Sequence, residues 1–528
     1  MIESTIDRQK HVNARITSTV GFIAAFFVPF VLYVRTLAPT VYNLDSAELT
    51  TAAYTGGLIR ATGYPLYLLL GRLWSHAVPI GDVGYRMNLL SAVFGALTIA
   101  LVYLILKRLG VGPWAAAGAL GLLMTAPYFW AMSLVAEVYT LQAALVAGLV
   151  LTALAWAKDP VPWRMGAATM LLGLGLAHHM TTVLLIPGWL RLMVGSDNSR
   201  ELFGKRTLIM GAAGLIAGLS MYLYLPFLYS NAPEFNYAGA YDATGQFVAR
   251  DLSTWDGLLW LASGRQFHGM VFNYTPNQLV AQAGGFVVEV WRGLLIGTGP
   301  ALLGAWVLTR RNRRVGVSLL MMVGVYAVFI IGYQAGDKET MYLPIFLFLA
   351  VFLGVGYQAL LDWVRDASDR AESRAGVRLL QLMIVAAIVV PTVLNWPVVD
   401  RSSDWSARDR GESILRTVET GALVAGYFHT VPVIEYLQLV EGRRPDVDTV
   451  NRLLIRPPHL ITLLNTQALR RPVYVDEVYA SMTGYEIVPV GPLFRLVPLR
   501  NPDLDPGLSQ LIPSIQDEPD KTHIEEAP

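Results

Sequence analysis

The sequence predicts an α-helical polytopic membrane protein with about eleven spanning helices and a C-terminal α/β domain. Three observations predict this class. Of the 528 residues, 54% are hydrophobic and only 15% are charged, whereas about 25% charged residues is usual in soluble domains. Apolar stretches recur along residues 1–396, and many are long enough to cross a bilayer. Loops rich in Lys and Arg alternate between these stretches, as cytoplasmic loops do.

Eleven apolar stretches are candidate spans, since about 20 apolar residues cross a membrane. They lie at 16–36, 86–106, 112–130, 135–156, 163–179, 181–194, 207–228, 286–308, 315–333, 340–361 and 377–396. The fifth and sixth are short, but Arg164 and Arg191 on their flanks both favour the cytoplasm. The chain is therefore expected to cross twice between them and to turn at His178 and His179.

The amino-terminal segment predicts the orientation. Residues 1–15 are polar and carry three basic residues, and the apolar run that follows has no small-residue cleavage site. We expect a retained first span, a cytoplasmic amino terminus and, with an odd number of spans, an extracytoplasmic C-terminal domain. The protein would then be a multi-pass protein of the cell membrane, with the loops 37–85 and 229–285 on the outer side.

The predicted domains are a transmembrane domain over 1–396, a soluble α/β domain over 397–508 and a disordered tail over 509–528. Strand candidates lie at 422–427, 447–450 and 473–475, and a helix candidate lies at 431–440. The last twenty residues are rich in Asp, Glu and Pro, which is typical of disorder.

The charge and the cysteine content exclude several kinds of partner and site. The net charge is +1 without a long basic run, so the sequence predicts no nucleic-acid partner. The absence of cysteine excludes disulfides, thiolate metal sites and cysteine nucleophiles. The sequence gives no indication of an oligomeric state.

The first outer loop carries two carboxylates, Asp45 and Glu48. If a helix begins near Ser46, residues three apart lie on one helical face, so these carboxylates converge at the outer end of the first span. The alternative is a capping arrangement at a helix start. The loop continues into the segment Gly63-Tyr64-Pro65.

These residues carry a resemblance to a known family. The segment Thr40–Leu49, continuing through Gly63–Tyr67 to Arg86–Ser91, resembles the amino-terminal region of membrane proteins related to protein O-mannosyltransferases, which belong to the GT-C class of glycosyltransferases. Further matches lie at Ala136–Leu141, His178–Thr181, Gly336–Glu339, Tyr342–Pro344, Tyr436–Gln438 and Arg444–Val447.

The resemblance implies a GT-C-like transmembrane domain that moves a sugar, with mannose as one candidate, from a polyprenyl-phosphate donor. The acceptor would be a hydroxyl of a protein or glycan on the extracytoplasmic face, and attack opposite the phosphate would invert the anomeric carbon. A carboxylate in the first outer loop acts as base in this class, and Asp45 occupies that position. Glu48 is the second catalytic candidate, although the family places its two acidic residues side by side, whereas here two residues separate them.

Other polar residues on the predicted outer side complete the candidate site. Candidates for binding the donor phosphate are Arg86, Lys338, His178 and His179. Candidates for binding the acceptor or other substrate groups are Glu137, Tyr64, Arg265 and Asp337. For each of them the alternative is an interfacial or helix-terminal role. A divalent metal is one option for the cofactor, but no ligand spacing specifies it.

Two other classes of function stay open at this stage. A lipid or glycan transporter or flippase would carry ionisable residues near the bilayer midplane, and the predicted spans hold almost none. A non-catalytic membrane scaffold predicts that Asp45 can be replaced without loss of function.

Overall fold

The computed structural model describes residues 2–43, 45–194, 199–366, 370–479 and 482–499. The contacts divide the chain into two compact units. The first comprises Met1–Pro39, Tyr64–Tyr224 and Met270–Asp404, and the second comprises Thr40–Gly63, Leu225–Gly269 and Trp405–Pro528. The domain limits predicted from the sequence stay predictions, and the tail predicted to be disordered lies outside the described residues.

The described secondary structure is mainly helical. The α-helices are α1 (Ile2–Arg35), α2 (Asp45–Thr55), α3 (Pro65–Ala77), α4 (Val83–Arg108), α5 (Pro113–Thr125), α6 (Pro127–Met132), α7 (Tyr139–Lys158), α8 (Pro162–His178), α9 (Ile186–Val194), α10 (Ser199–Leu202), α11 (Lys205–Leu219), α12 (Tyr224–Ser230), α13 (Trp255–Ala262), α14 (Pro276–Leu294), α15 (Thr298–Arg311), α16 (Arg313–Gly332), α17 (Leu343–Asp366), α18 (Arg370–Val399), α19 (Ser406–Thr417), α20 (Val431–Leu439) and α21 (Pro457–Ala468). Short 3₁₀ helices lie at Met180–Leu185, Ser220–Leu223, Arg265–Met270, Leu295–Gly297, Lys338–Tyr342 and Arg452–Leu454.

Eight helical stretches of the described chain are long and apolar enough to cross a membrane. They are Ser18–Arg35, Val83–Arg108, Tyr139–Lys158, Lys205–Ser230, Pro276–Arg311, Arg313–Gly332, Lys338–Asp366 and Ser373–Val399. Two further apolar helical stretches, Pro113–Thr125 and Met180–Val194, are shorter. Helix occupies each of the eleven predicted positions, which confirms the polytopic α-helical membrane class. The orientation of the termini stays a prediction.

Two helix boundaries differ from the limits of the predicted spans. Helix α14 begins at Pro276, ten residues before the predicted span at 286, because Thr275 and Gln278 form a capping box and proline occupies the first turn. The predicted span 112–130 is divided at Ala126 into α5 and α6, because Pro127 cannot continue the hydrogen bonding of the preceding helix. Hydropathy alone did not reveal either boundary.

In the first unit, α15 and α17 approach closely through two glycines. A Cβ atom at Gly304 would lie 1.7 Å from the carbonyl oxygen of Phe352, and one at Gly356 would lie 1.8 Å from that of Pro300. Small residues that allow such backbone approach are typical of helix pairs in membranes.

The second unit contains a five-stranded sheet of order β4-β3-β5-β7-β6. Its strands are β3 (Leu423–Gly426), β4 (Asp448–Asn451), β5 (Val473–Val475), β6 (Tyr485–Val490) and β7 (Leu493–Pro498), and a separate hairpin is formed by β1 (Gly239–Tyr241) and β2 (Phe247–Ala249). Strands β4, β3 and β5 are parallel, and β5, β7 and β6 are antiparallel. The predicted α/β class of the C-terminal region is therefore confirmed.

The sheet positions a helix that packs against the helix carrying Asp45 and Glu48. Every residue of β3 is buried, as expected for a parallel strand covered on both faces. The chain then forms α20, which packs against α2 within the same unit. Helix α2, which begins with Asp45, is therefore supported by the C-terminal α/β fold.

We expect Gly304→Ala to lower the free energy of unfolding by roughly 1–3 kcal/mol, as overpacking does in well-packed cores, because the added methyl group must separate α15 from α17. Thermal unfolding of the detergent-solubilised protein measures the effect. Gly324→Ala in α16 is the matched control, since a Cβ atom there meets nothing within 4 Å. Equal stability of the two variants would contradict the inferred close packing.

Candidate active site

Asp45 and Glu48 lie in the first turn of α2 and share one cation, Arg60. The Arg60 Nε donates to Glu48 Oε2 at 3.1 Å, and its Nη2 donates to Asp45 Oδ1. The backbone N–H of Arg60 also donates to Glu48 Oε1 at 3.4 Å. The structure therefore brings the two predicted catalytic residues together and adds a guanidinium group between them.

The two carboxylates differ in exposure. The Glu48 side chain is 3% exposed, whereas that of Asp45 is 36% exposed. Burial raises the pKa of Glu48 to about 7, the nearby charge of Arg60 opposes this rise, and the charge of Asp45 adds to it. Glu48 is thus an internal anchor for Arg60, and Asp45 is the carboxylate that solvent or a substrate can reach.

The position of Arg60 is set by a short backbone pairing in the same unit. Leu58 N–H donates to Phe235 O, and Tyr237 N–H donates to Leu58 O, each at 2.9 Å. Gly57 makes this approach feasible, because a Cβ atom there would lie 2.6 Å from Phe235 O. The segment after α2 is thereby turned back so that Arg60 faces the carboxylates.

Sequence reasoning missed a second carboxyl group with a raised pKa in this unit, that of the partly buried Glu435 of α20. The Tyr237 hydroxyl donates to Glu435 Oε2, and the Thr449 hydroxyl donates to Oε1 at 2.8 Å. Burial raises the pKa of Glu435 to about 7, against the lowering effect of these two hydrogen bonds. The signal in the sequence is a single carboxylate within the apolar run 431–440.

The charges of both acidic groups act on the Tyr237 hydroxyl. Burial raises the pKa of its hydroxyl well above the usual value, and the charges of Glu435 and then Glu48 raise it further. The phenol therefore stays protonated and can donate only one hydrogen bond, which goes to Glu435.

In the first unit, His178, His179 and Tyr64 lie together. His178 ends α8, and its Nε2 is 2.8 Å from the Val138 carbonyl oxygen. The His179 Nδ1 accepts from the Thr181 N–H at 3.4 Å. The ring of Tyr64 lies 6.2 Å from the His178 ring and 5.8 Å from the His179 ring, measured between centroids.

Glu137 is buried just before α7 in the same unit. Its backbone N–H donates to the Ser91 hydroxyl oxygen at 3.2 Å. Burial raises the pKa of the Tyr67 hydroxyl, and the charge of the nearby Glu137 carboxylate raises it further. The Tyr67 ring stacks on the His178 ring, with 6.4 Å between their centroids.

Arg86 and Lys338, the other two predicted phosphate-binding residues, donate hydrogen bonds to carbonyl and amide oxygens within the first unit. In the first turn of α4, Arg86 Nη1 and Nη2 donate to the carbonyl oxygens of Ser75 and Gly81, at 2.9 and 3.1 Å. Lys338 Nζ donates to Gln282 Oε1 at 2.7 Å and to the Tyr333 carbonyl oxygen at 3.2 Å.

Two predicted substrate-binding residues lie at the ends of short helices. Asp337 precedes the 3₁₀ helix Lys338–Tyr342, and Arg265 begins the 3₁₀ helix Arg265–Met270. The roles assigned to all ten site residues stay predictions.

The carboxylates do not form part of a described metal-binding cluster. Among the residues that the structure describes, no group of three or more His, Cys, Asp or Glu side chains converges to hold a metal ion. Asp45 and Glu48 instead bind the guanidinium group of Arg60. The divalent metal stays a prediction.

We expect Arg60→Gln to lower the free energy of unfolding at pH 8 by roughly 1–3 kcal/mol, because it leaves the buried Glu48 carboxylate without its cation. Adding Glu48→Gln should restore part of the loss, since the buried charge is then gone. Chemical unfolding of the four proteins of this cycle measures the coupling. Arg495→Gln, which removes an exposed ion pair with Glu419, is the control and should change the free energy of unfolding little. If the effects of Arg60→Gln and Glu48→Gln on the free energy of unfolding are strictly additive, the coupling is refuted.

We expect Glu435→Gln to reduce the pH dependence of stability between pH 4.5 and 7. The folded protein has a Glu435 pKa of about 7 against an ordinary value of 4.5, so it binds more protons than the unfolded chain in this window. The stabilisation is complete below pH 4.5 and is lost as pH rises through 7, with a slope of at most about 1.4 kcal/mol per pH unit.

Thermal unfolding at several pH values measures this slope. Glutamine keeps an acceptor oxygen for Tyr237 and Thr449 but does not titrate, so the variant should flatten the profile. The exposed Glu486 of β6 provides the control variant Glu486→Gln, which should leave the profile unchanged. An identical slope in wild type and Glu435→Gln would disprove the assignment.

Comparison with known proteins finds similarity over much of the chain. The family model described as the Protein O-mannosyl-transferase TMEM260 N-terminal domain matches residues 45–202. Protein O-mannosyl-transferase tmem260 of Dictyostelium discoideum is 23% identical over 483 residues, which cover 82% of this chain and 57% of that protein. Protein O-mannosyl-transferase TMEM260 of Mus musculus is 25% identical over 469 residues, which cover 82% of this chain and 62% of that protein. The chain thus spans less than two thirds of the length of these relatives.

Solved structures of similar fold include ArnT from Cupriavidus metallidurans. The crystal structure bound to undecaprenyl phosphate matches with a TM-score of 0.56 and 13% identity, covering 90% of this chain and 97% of that chain. The apo structure gives a TM-score of 0.55 and 14% identity, covering 92% of this chain and 98% of that chain. The chain is therefore similar to membrane proteins related to the protein O-mannosyl-transferases, and its fold is similar to that of ArnT.

Proposed function

We propose that the chain is a glycosyltransferase that moves a sugar from a polyprenyl-phosphate donor to an acceptor hydroxyl on the extracytoplasmic face of the cell membrane. The observation that carries the proposal is the cluster of Asp45, Arg60 and Glu48, in which an accessible carboxylate is oriented by a guanidinium group anchored on a buried one. The names of the curated relatives and the ArnT-like fold support the same chemistry.

Asp45 is the proposed general base. The acceptor hydroxyl oxygen attacks the anomeric carbon while Asp45 takes its proton, and the bond between the anomeric carbon and the phosphate oxygen breaks. The polyprenyl phosphate leaves with the bonding electrons, and attack from the opposite side inverts the anomeric centre. A phosphate leaving group needs no strong acid, so the base and fixed charges supply most of the catalysis.

Glu48 and Arg60 are positioning residues in this proposal. The buried Glu48 carboxylate holds the Nε and the backbone N–H of Arg60, which leaves Nη2 to orient Asp45. This division of roles accounts for the spacing of three between the acidic residues, because one turn of α2 directs both toward the same guanidinium group.

The substrates follow from this chemistry. The donor is a lipid-linked sugar, and the acceptor is a hydroxyl of a protein or glycan. The cations Arg86 and Lys338 are proposed to stabilise the departing phosphate, which requires them to exchange their present carbonyl partners for phosphate oxygens. Mannose is the proposed sugar, in line with the names of the relatives.

The transporter alternative is less consistent with the positions of the charges. In α4, α7, α15 and α16 the charged residues lie in the first or last turn. A coupled transporter normally places ionisable groups near the bilayer midplane. A scaffold would tolerate replacement of Asp45, which the following experiment examines.

We expect Asp45→Asn to reduce sugar transfer by roughly 10²–10⁴-fold, because it removes the base and keeps the size of the side chain. The assay measures transfer of labelled sugar from polyprenyl-phosphate donors, extracted from membranes, to endogenous acceptors by the purified protein. Asp256→Asn is the matched control, since Asp256 is a largely exposed aspartate paired with Arg250 in the same unit.

Both variants should unfold at temperatures close to that of the wild type. Transfer that survives Asp45→Asn would assign the base to another residue. Absence of transfer by the wild type with every donor would overturn the glycosyltransferase proposal.

A further inference from the structure

The first unit holds a buried polar cluster that the proposed reaction has not used. We define the histidine cluster as Tyr64, Tyr67, Gln142, His178, His179, Thr181 and Tyr326. Gln142 Nε2 donates to the Thr181 hydroxyl at 2.6 Å, and the Thr181 hydroxyl is 2.8 Å from His179 Nδ1 and 3.0 Å from the Tyr326 hydroxyl. Residues of α7, the Met180–Leu185 helix and α16 thus form one hydrogen-bonded network.

Four atoms of this cluster are buried without a hydrogen-bond partner among the described residues: the Tyr67 hydroxyl oxygen, His178 Nδ1, His179 Nε2 and Gln142 Oε1. Each such atom costs about 1–3 kcal/mol when it is left unpaired, so several in one network call for a ligand. The cluster lies next to the partly exposed Tyr64. His179 keeps 5% of its surface accessible, whereas His178 and Gln142 are fully buried.

The unpaired atoms include both a donor and acceptors. His179 Nδ1 accepts from the Thr181 N–H, so the proton of the neutral ring lies on the unpaired Nε2. His178 Nε2 donates to the Val138 carbonyl oxygen, so its unpaired Nδ1 is an acceptor. Gln142 Oε1 is a second acceptor. A hydroxyl group, which donates and accepts, complements this set.

The surroundings favour a neutral ligand over a phosphate. The described contacts of the two histidine rings are with the aromatic rings of Tyr64, Tyr67 and Tyr139, the Thr181 hydroxyl and a carbonyl oxygen. The Glu137 carboxylate, which lies near Tyr67, would repel a phosphate and can accept from a hydroxyl. Aromatic faces with a few placed polar groups are typical of small-ligand sites.

We propose that the histidine cluster binds the hydroxyl groups of the donor sugar, so that His178 and His179 recognise the sugar ring and not the phosphate. This inference rests on the proposed function. Phosphate binding is thereby assigned to Arg86 and Lys338, and sugar recognition is assigned to the neutral groups of the histidine cluster.

The test compares the binding of three ligands to the purified chain in lipid nanodiscs: bare undecaprenyl phosphate, mannose-loaded undecaprenyl phosphate and glucose-loaded undecaprenyl phosphate. Gln142→Met and His178→Phe each remove an unpaired acceptor. The replacement side chain is apolar and has a similar length (Met) or shape (Phe). We expect each variant to weaken binding of at least one loaded carrier by about tenfold or more, as the loss of one hydrogen bond to a ligand does. Binding of bare undecaprenyl phosphate should be unchanged.

Thr152→Val is the matched control on α7, because the Thr152 hydroxyl donates within its own helix to Gly148 O at 2.9 Å. It should change neither affinity, and unfolding temperatures identify any variant that does not fold. Equal weakening of bare and loaded carriers would overturn the inference in favour of phosphate binding. No weakening in either folded variant would also overturn it, since the unpaired atoms would then bind water only. If the wild type binds neither carrier form, the proposed function itself fails.

Discussion

The candidate site depends on the burial of one carboxylate, Glu48, against the guanidinium group of Arg60. Removing a carboxylate from water is costly unless a cation and hydrogen bonds replace the solvent, and Arg60 supplies both through its Nε and its backbone N–H. The guanidinium group thereby acquires a fixed orientation, and its remaining edge determines where the Asp45 carboxylate lies. The accessible acidic group is therefore held in place by one that never reaches solvent.

The fold of the second unit maintains this ion pair from two sides. Helix α20, which follows the buried strand β3, packs against α2, so the α/β sheet supports the helix that carries both carboxylates. The backbone pairing of Leu58 with the segment around Asn236 turns Arg60 back toward them. We infer that the C-terminal domain is part of the framework of the candidate site, in addition to any role in binding an acceptor.

Hydropathy, helix periodicity and loop charge predicted the helical membrane fold, because each of these signals is local in sequence. The strand and helix candidates at 422–427, 431–440 and 473–475 were also recognisable locally, and the structure confirms them. The pairing of Asp45 with Glu48 followed from their spacing within one helical turn. Tyr237 and Glu435 could not be found in this way, since they are separated by 198 residues and meet only through tertiary packing. The start of α14 was missed for a different reason, as its capping box is a polar signal that hydropathy does not register.

The stability of the second unit and the orientation of Arg60 require different protonation states of Glu48. Burial raises the pKa of both carboxyl groups to about 7, so each favours the folded protein most when it is protonated. Holding Arg60, however, requires the Glu48 carboxylate, because a protonated carboxyl group loses most of its attraction to a guanidinium group. The arrangement that orients Asp45 is thus formed at the expense of stability, as is usual for active sites that keep charged groups away from water. The Tyr237 phenol adds no charge to this region: it stays protonated and donates a hydrogen bond to Glu435.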